Sequence, residues 1–198
     1  MYDLAIALLK GKEDQQARAV LERARDRFPG NPDLLLASAI VAYMTGPEAE
    51  SFLEQALSAA TDERARAFLL GVLGDLYKAM ARFDQALLAY ERAVALLPAD
   101  ASLLVRLGAL LVQRGDLDRA AAALERARQE DPASALACLE LGRLQMRKAE
   151  YTAARTSLEC TVRSDHSSLE GHYMLWTVYR KLGQQQMAER TLNTRLAP

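Results

Sequence analysis

The sequence predicts an all-α chain of about six stacked helical hairpins. Three observations predict it. Small, large and proline positions recur in phase every 34 residues. Apolar residues follow the i, i+3, i+4 spacing of amphipathic helices. Aromatics make up only 6% while alanine and leucine are abundant, which favours helix. Ala86, Ala120, Ala154 and Ala188 form one column, and Gly74, Gly108 and Gly142 another. Leu73, Leu107, Leu141 and Leu175 form a third, and Tyr90, Leu124, Leu158 and Leu192 a fourth. Pro98 and Pro132 close two consecutive units. A fixed period of this kind marks an array in which each unit buries its apolar face on its neighbours.

The units run in order, at approximately 1–31, 32–61, 62–100, 101–134, 135–168 and 169–198, as a single array over 1–198. In the first, Leu4, Leu8, Gly11, Ala17, Leu21, Ala24 and Pro29 keep the pattern with one extra turn residue. Asn31-Pro32 then reads as a helix cap followed by a first-position proline. Gly46-Pro47 turns the chain, and Phe52, Leu53, Ala56 and Leu57 carry the return helix. Thr61-Asp62 reads as the cap of a longer helix leading into Gly74. In the third unit Leu70, Leu73, Gly74 and Tyr77 form one stripe, and Ala81-Arg82 break it. Ala86, Tyr90, Ala93 and Val94 form the next stripe, which Pro98 ends for want of an N–H. The fourth repeats this, with Gly115 stopping one helix and Asp116 capping the next. In the fifth, His166 replaces the closing proline, and Ser167-Ser168 cap the first helix of the last unit. The sixth has Leu175, Tyr179, Gly183, Ala188 and Leu192 in phase.

Composition narrows the function classes. Hydrophobic residues make up 51% and charged residues 26%, as in ordinary folded proteins. A net charge of −1 and a pI near 6.2 give no whole-protein attraction to nucleic acid or anionic membrane. No stretch reaches the roughly 18 apolar residues of a membrane span. Cys138 and Cys160 read as two small, core or half-buried thiols, which would suit a reducing compartment such as the cytoplasm. Met1 to Lys10 lack the form of a secretory leader. The opening inside a helical pattern suggests a piece cut from a longer protein.

Chemistry-bearing patterns are scarce. His166 and His172 are six apart, with no cysteine or carboxylate array at metal spacing. No glycine-rich loop follows a strand. No serine has the histidine–acid context of a nucleophile. Neither catalysis nor a cofactor is expected.

Leu70, Leu73-Gly74, Tyr77, Ala86, Tyr90, Ala93 and Pro98 resemble the tetratricopeptide repeat pattern. Leu104, Leu107-Gly108, Leu111, Gly115, Ala120, Leu124, Ala127 and Pro132 repeat the match. The resemblance covers essentially the whole chain and implies a right-handed α-solenoid that binds protein partners. It also implies that first helices line a concave groove. Leu36, Ile40, Tyr43, Phe68, Val72, Asp75 and Lys78 then form a largely apolar half. Arg106, Gln113, Glu140, Arg143, Arg147 and Tyr173 belong to a more basic half, with Arg180 and Lys181 beyond. Such a groove suits an amphipathic or acidic peptide. The competing expectation is that these arginines are solvated and paired with local glutamates. The carboxylate clamp of chaperone-binding relatives is not expected, because Gly71, Asp75, Arg106, Leu136 and Glu140 stand at its places.

Trp176 occupies the glycine column and Arg195 an alanine column of the last unit. Either they form a terminal cap that needs no close packing, or Trp176 anchors a partner. Alternatives to a peptide-binding scaffold are RNA reading by helical hairpins, substrate recruitment within a larger enzyme or envelope assembly factor, and self-association. A period of 34 and an acidic pI speak against RNA.

Overall fold

The computed structural model describes residues 14–28, 31, 34–38 and 48–196. Within them every regular element is α-helix. Two compact units, Met1–Leu97 and Pro98–Pro198, divide the chain. The first contains α1 (Asp14–Arg27), a helical stretch at 34–38, α2 (Ala49–Ala59), α3 (Glu63–Ala79) and α4 (Phe83–Leu96). The second contains α5 (Ala101–Arg114), α6 (Leu117–Glu130), α7 (Ala135–Arg147), α8 (Tyr151–Ser164), α9 (Leu169–Lys181) and α10 (Gln185–Leu196). Consecutive helices pair as hairpins, α3 on α4, α5 on α6, α7 on α8 and α9 on α10.

Caps recur with the period. Asp100, Ser134 and Ser168, each 34 residues from the next, accept hydrogen bonds from the amides of Leu103, Ala137 and Gly171. These start the first helices α5, α7 and α9 by satisfying one of the donors that a helix start leaves open. Asp62 does the same for α3, through the Ala65 amide at 2.9 Å. Asn31 accepts from the Leu34 amide at 3.1 Å, as its place before Pro32 predicts.

First helices also end alike. Ala81, Gly115, Ala149 and Gly183 all have positive φ, from 57° to 83°. In each, the left-handed residue donates three residues back and its successor five residues back, as in Ala149 to Met146 and Glu150 to Gln145. This is the Schellman stop, which glycine adopts without strain. Alanine in the left-handed region costs roughly 1–2 kcal/mol. Ala149→Gly is therefore expected to raise stability by up to about 1 kcal/mol, after allowing for glycine's freer unfolded chain. A urea midpoint that falls instead would contradict this reading of the turn.

The column geometry is steric. A Cβ on Gly108 would lie 2.5 Å from Leu124 Cγ, and one on Gly142 2.6 Å from Leu158 Cδ2. A Cβ on Gly74 would run into the Tyr90 ring. The glycine lets the large residue of the second helix seat against the first, where Tyr90, Leu124 and Leu158 are all fully buried. Ala86, Ala120 and Ala154 are likewise fully buried.

One expectation is corrected. Cys138 and Cys160 are a disulfide, not two thiols. They lie on the two helices of one hairpin, α7 and α8, with Cα atoms 5.9 Å apart, inside the range a bond spans without moving the backbone.

Candidate partner-binding face

In the first unit, α3 presents exposed Phe68, half-buried Val72 and exposed Asp75 and Lys78. Asp75 is tied inward, since its carboxylate accepts from the Tyr90 hydroxyl at 2.6 Å. Leu36 is buried and so does not line the surface. Ile40 and Tyr43 lie outside the described residues. A second polar knot ties α3 to α2: Tyr77 donates to Glu50 at 2.9 Å, and Arg82 pairs with the same carboxylate at 2.5 Å. The Arg82 guanidinium also sits over the Tyr77 ring, 4.6 Å from its centre. Burial and the Glu50 hydrogen bond push the Tyr77 phenol up to about 12. The Arg82 hydrogen bond holds Glu50 below the usual carboxylate range.

In the second unit the first helices lie side by side, α5 on α7 and α7 on α9. Arg106 is half-buried and Gln113 exposed on α5. Glu140 is buried, so like Leu36 it does not line the face. It accepts from Arg143 Nη1 at 2.7 Å, and Arg143 also donates to Glu170 across on α9. Burial works against the Arg143 charge, but the two carboxylates outweigh it and hold the guanidinium above its ordinary value. Arg143 is thus a structural tie between helices, paired both with a local glutamate and with one from the next hairpin. Arg147 is exposed and donates to the Val112 carbonyl on α5.

On α9, Tyr173 is 63% exposed, the most open large hydrophobic residue among those described. Its ring stacks on Trp176 with centroids 5.9 Å apart, and the Arg180 guanidinium lies 4.8 Å from the Trp176 ring centre. Trp176 is half-buried and packs against the apolar cluster that includes Leu158, Leu175 and Tyr179. Its own unit therefore holds it, which favours the cap over a free anchor, although its ring remains part of the surface stack. In the same unit Tyr179 donates to Glu159 at 2.8 Å, and burial with that bond lifts its phenol to about 12. Neither tyrosine knot was foreseeable from periodicity, because each partner lies on a different hairpin.

Three models of tetratricopeptide repeats match the chain, over residues 72–135, 111–175 and 1–31. The chain belongs to the tetratricopeptide repeat family. Solved tetratricopeptide structures agree with it. PilF of Pseudomonas aeruginosa superposes with a TM-score of 0.82 at 20% identity, over 100% of this chain and 90% of that one. PilW, a type IV pilus biogenesis factor, gives 0.80 at 22% identity, over 96% and 87%. YrrB, a tetratricopeptide protein with an unusual peptide-binding site, gives 0.64 at 22% identity, over 86% and 88%. No curated protein sequence matches. At these identities the structures establish the tetratricopeptide fold alone. That fold is the fold of a protein-interaction scaffold, because stacked hairpins present long ordered surfaces. Among the described residues no helix is long and apolar enough to cross a membrane.

Proposed function

We propose that this tetratricopeptide chain, taken as one array over 1–198, docks a segment of a partner protein against its first helices. The observation that carries the reading is the α7–α9 face, where Tyr173, Arg147 and Arg180 stay exposed beside a fixed Arg143–Glu170 tie. The tie holds two neighbouring helices in register without using the outer groups. The peptide-binding site reported for YrrB supports segment docking as a use of this fold. No cofactor, metal or nucleic acid enters the proposal.

A second reading places the partner in an envelope assembly machine. Two observations favour it. PilF and PilW superpose over nearly their whole lengths. The Cys138–Cys160 bond fits an oxidising compartment better than the cytoplasm.

One experiment tests both. The intact chain and an Arg147→Glu/Arg180→Glu variant are used as baits in native extract, after matching their helical circular dichroism. Arg143 is left unchanged, because reversing it would bring a third carboxylate to Glu140 and Glu170. A partner held by the first bait and lost by the second is the expected result. Equal capture would remove the α7–α9 face from consideration. Mass spectrometry of that partner decides the second reading: an envelope protein supports it, a cytosolic one defeats it.

A further inference from the structure

α7 and α9 change character along their length in the same sense. α7 exposes Leu136 in its first turn and Arg147 in its last. α9 exposes Leu169 and Tyr173 in its first turns and Arg180 and Lys181 in its last. Only α8 separates them, so the chain reverses twice and the two helices run the same way, packed on each other. The face therefore has an apolar edge and a cationic edge, each crossing both helices. The sequence-based expectation set apolar and basic halves along the array. Within this unit a second polarity runs along the helices.

The cationic edge is not neutralised locally. Among the described residues no carboxylate pairs with Arg147, Arg180 or Lys181, whereas Arg143 is held by Glu140 and Glu170. Two helix C-termini contribute about −0.5 charge each. Against three cations this leaves roughly two positive charges. Arg180 lies over the Trp176 ring, which orients its plane while leaving its N–H edge available for a carboxylate.

We propose that the α7–α9 face binds a short acidic segment of a partner protein that also carries large apolar side chains. Its carboxylates meet Arg147, Arg180 and Lys181, and its apolar side chains meet Leu136, Leu169 and Tyr173. The proposal rests on the segment-docking reading and names the chemistry of the segment. A basic segment is repelled by the cationic edge, and a purely polar one leaves the apolar edge in water. Charge-assisted pairs at an exposed site also make the binding sensitive to salt.

Trp176 is the only tryptophan in the chain, so its emission reports on this face directly. A displayed library of random peptides is selected on the intact chain, and the recovered sequences are synthesised and titrated while Trp176 emission is followed. Expected are sequences with two or more Asp or Glu beside Phe, Tyr, Trp or Leu, which shift that emission. Their affinity should fall about tenfold or more in Arg147→Glu/Arg180→Glu, and fall as salt rises. Lys181→Glu, exposed and outside the stack, serves as a second variant and should weaken binding in the same direction. Selected peptides without acids, or acidic peptides that bind the variants equally or leave Trp176 emission unchanged, would overturn the proposal. Apolar or basic peptides that shift Trp176 would overturn the acidic chemistry while sustaining segment docking. If no peptide is enriched the proposal also fails, and the extract experiment alone then judges the scaffold.

Discussion

Gly108→Leu is expected to destabilise the second unit by about 3 kcal/mol, the upper end of typical overpacking costs. For a chain of this size that lowers the melting midpoint by roughly 6–12 °C. The Cβ alone would stand 2.5 Å from Leu124 Cγ and 2.6 Å from its Cδ2. Leu124 is fully buried, with buried Ala120, Ala123 and Ala127 on the same helix, so it has no room to swing aside. Helix propensity acts the other way, since Leu is better than Gly by under about 1 kcal/mol, and the steric term wins. Gly142 faces Leu158 in the same way and should behave alike. Gly115 supplies the contrast: nothing lies within 4 Å of its Cβ position, and only its φ of 83° resists a side chain. Adding Leu124→Ala to Gly108→Leu should recover much of the loss, because the new side chain fills the space the old one vacates. Urea unfolding followed by circular dichroism measures both variants. An unchanged midpoint for Gly108→Leu would mean that α5 and α6 do not approach closely at this point.

Most of the fold was legible because the period fixes residue type wherever local geometry demands it. Gly108 is small because the Leu124 side chain of the facing helix seats against it, Ala120 is fully buried in the same hairpin, and Asp100, Ser134 and Ser168 are polar because a helix begins after each. The left-handed column was only half legible: Gly115 and Gly183 announce it, while Ala81 and Ala149 adopt the same conformation without the residue that signals it. The binding face was less legible, since register tells which way a side chain points and not what reaches it. Arg143 and Arg147 are adjacent arginines of one helix face, yet Arg143 is consumed by Glu140 and Glu170 while Arg147 stays exposed. The deciding group, Glu170, comes from a different helix, 27 residues away. Leu36 and Glu140 stand at lining positions and are buried nonetheless. The disulfide was not legible from two helical positions inside one repeat, which read equally well as a pair of thiols. Its signal lay in the columns: one period earlier the same pair of positions holds Leu104 and Arg126, and both change to cysteine together.

Breaking that bond is the second large effect expected. The cysteines are 22 residues apart, and closing a loop of that length removes about 3 kcal/mol of unfolded-chain entropy. Folded domains are stable by only about 5–15 kcal/mol, so this is a large share of the second unit's margin. The loss falls on the α7–α8 hairpin, between α5–α6 and α9–α10. In an array, stability is the sum of each hairpin and its interfaces. A loosened middle hairpin therefore weakens both neighbours, including the α7–α9 face. Cys138 is 1% exposed and Cys160 is half-buried. Cys160→Ser removes the bond without added reductant and leaves Cys138 as a small buried hydrophobe. Trp176 emission should then melt earlier than in the parent chain, and by a larger shift than the far-ultraviolet ellipticity, which also samples the first unit. Identical melting of the two proteins, with thiol titration confirming no free cysteine in the parent, would show that close packing across α7 and α8 already fixes the hairpin. In that case the bond would mark the compartment in which the chain folds and would contribute little to holding it together.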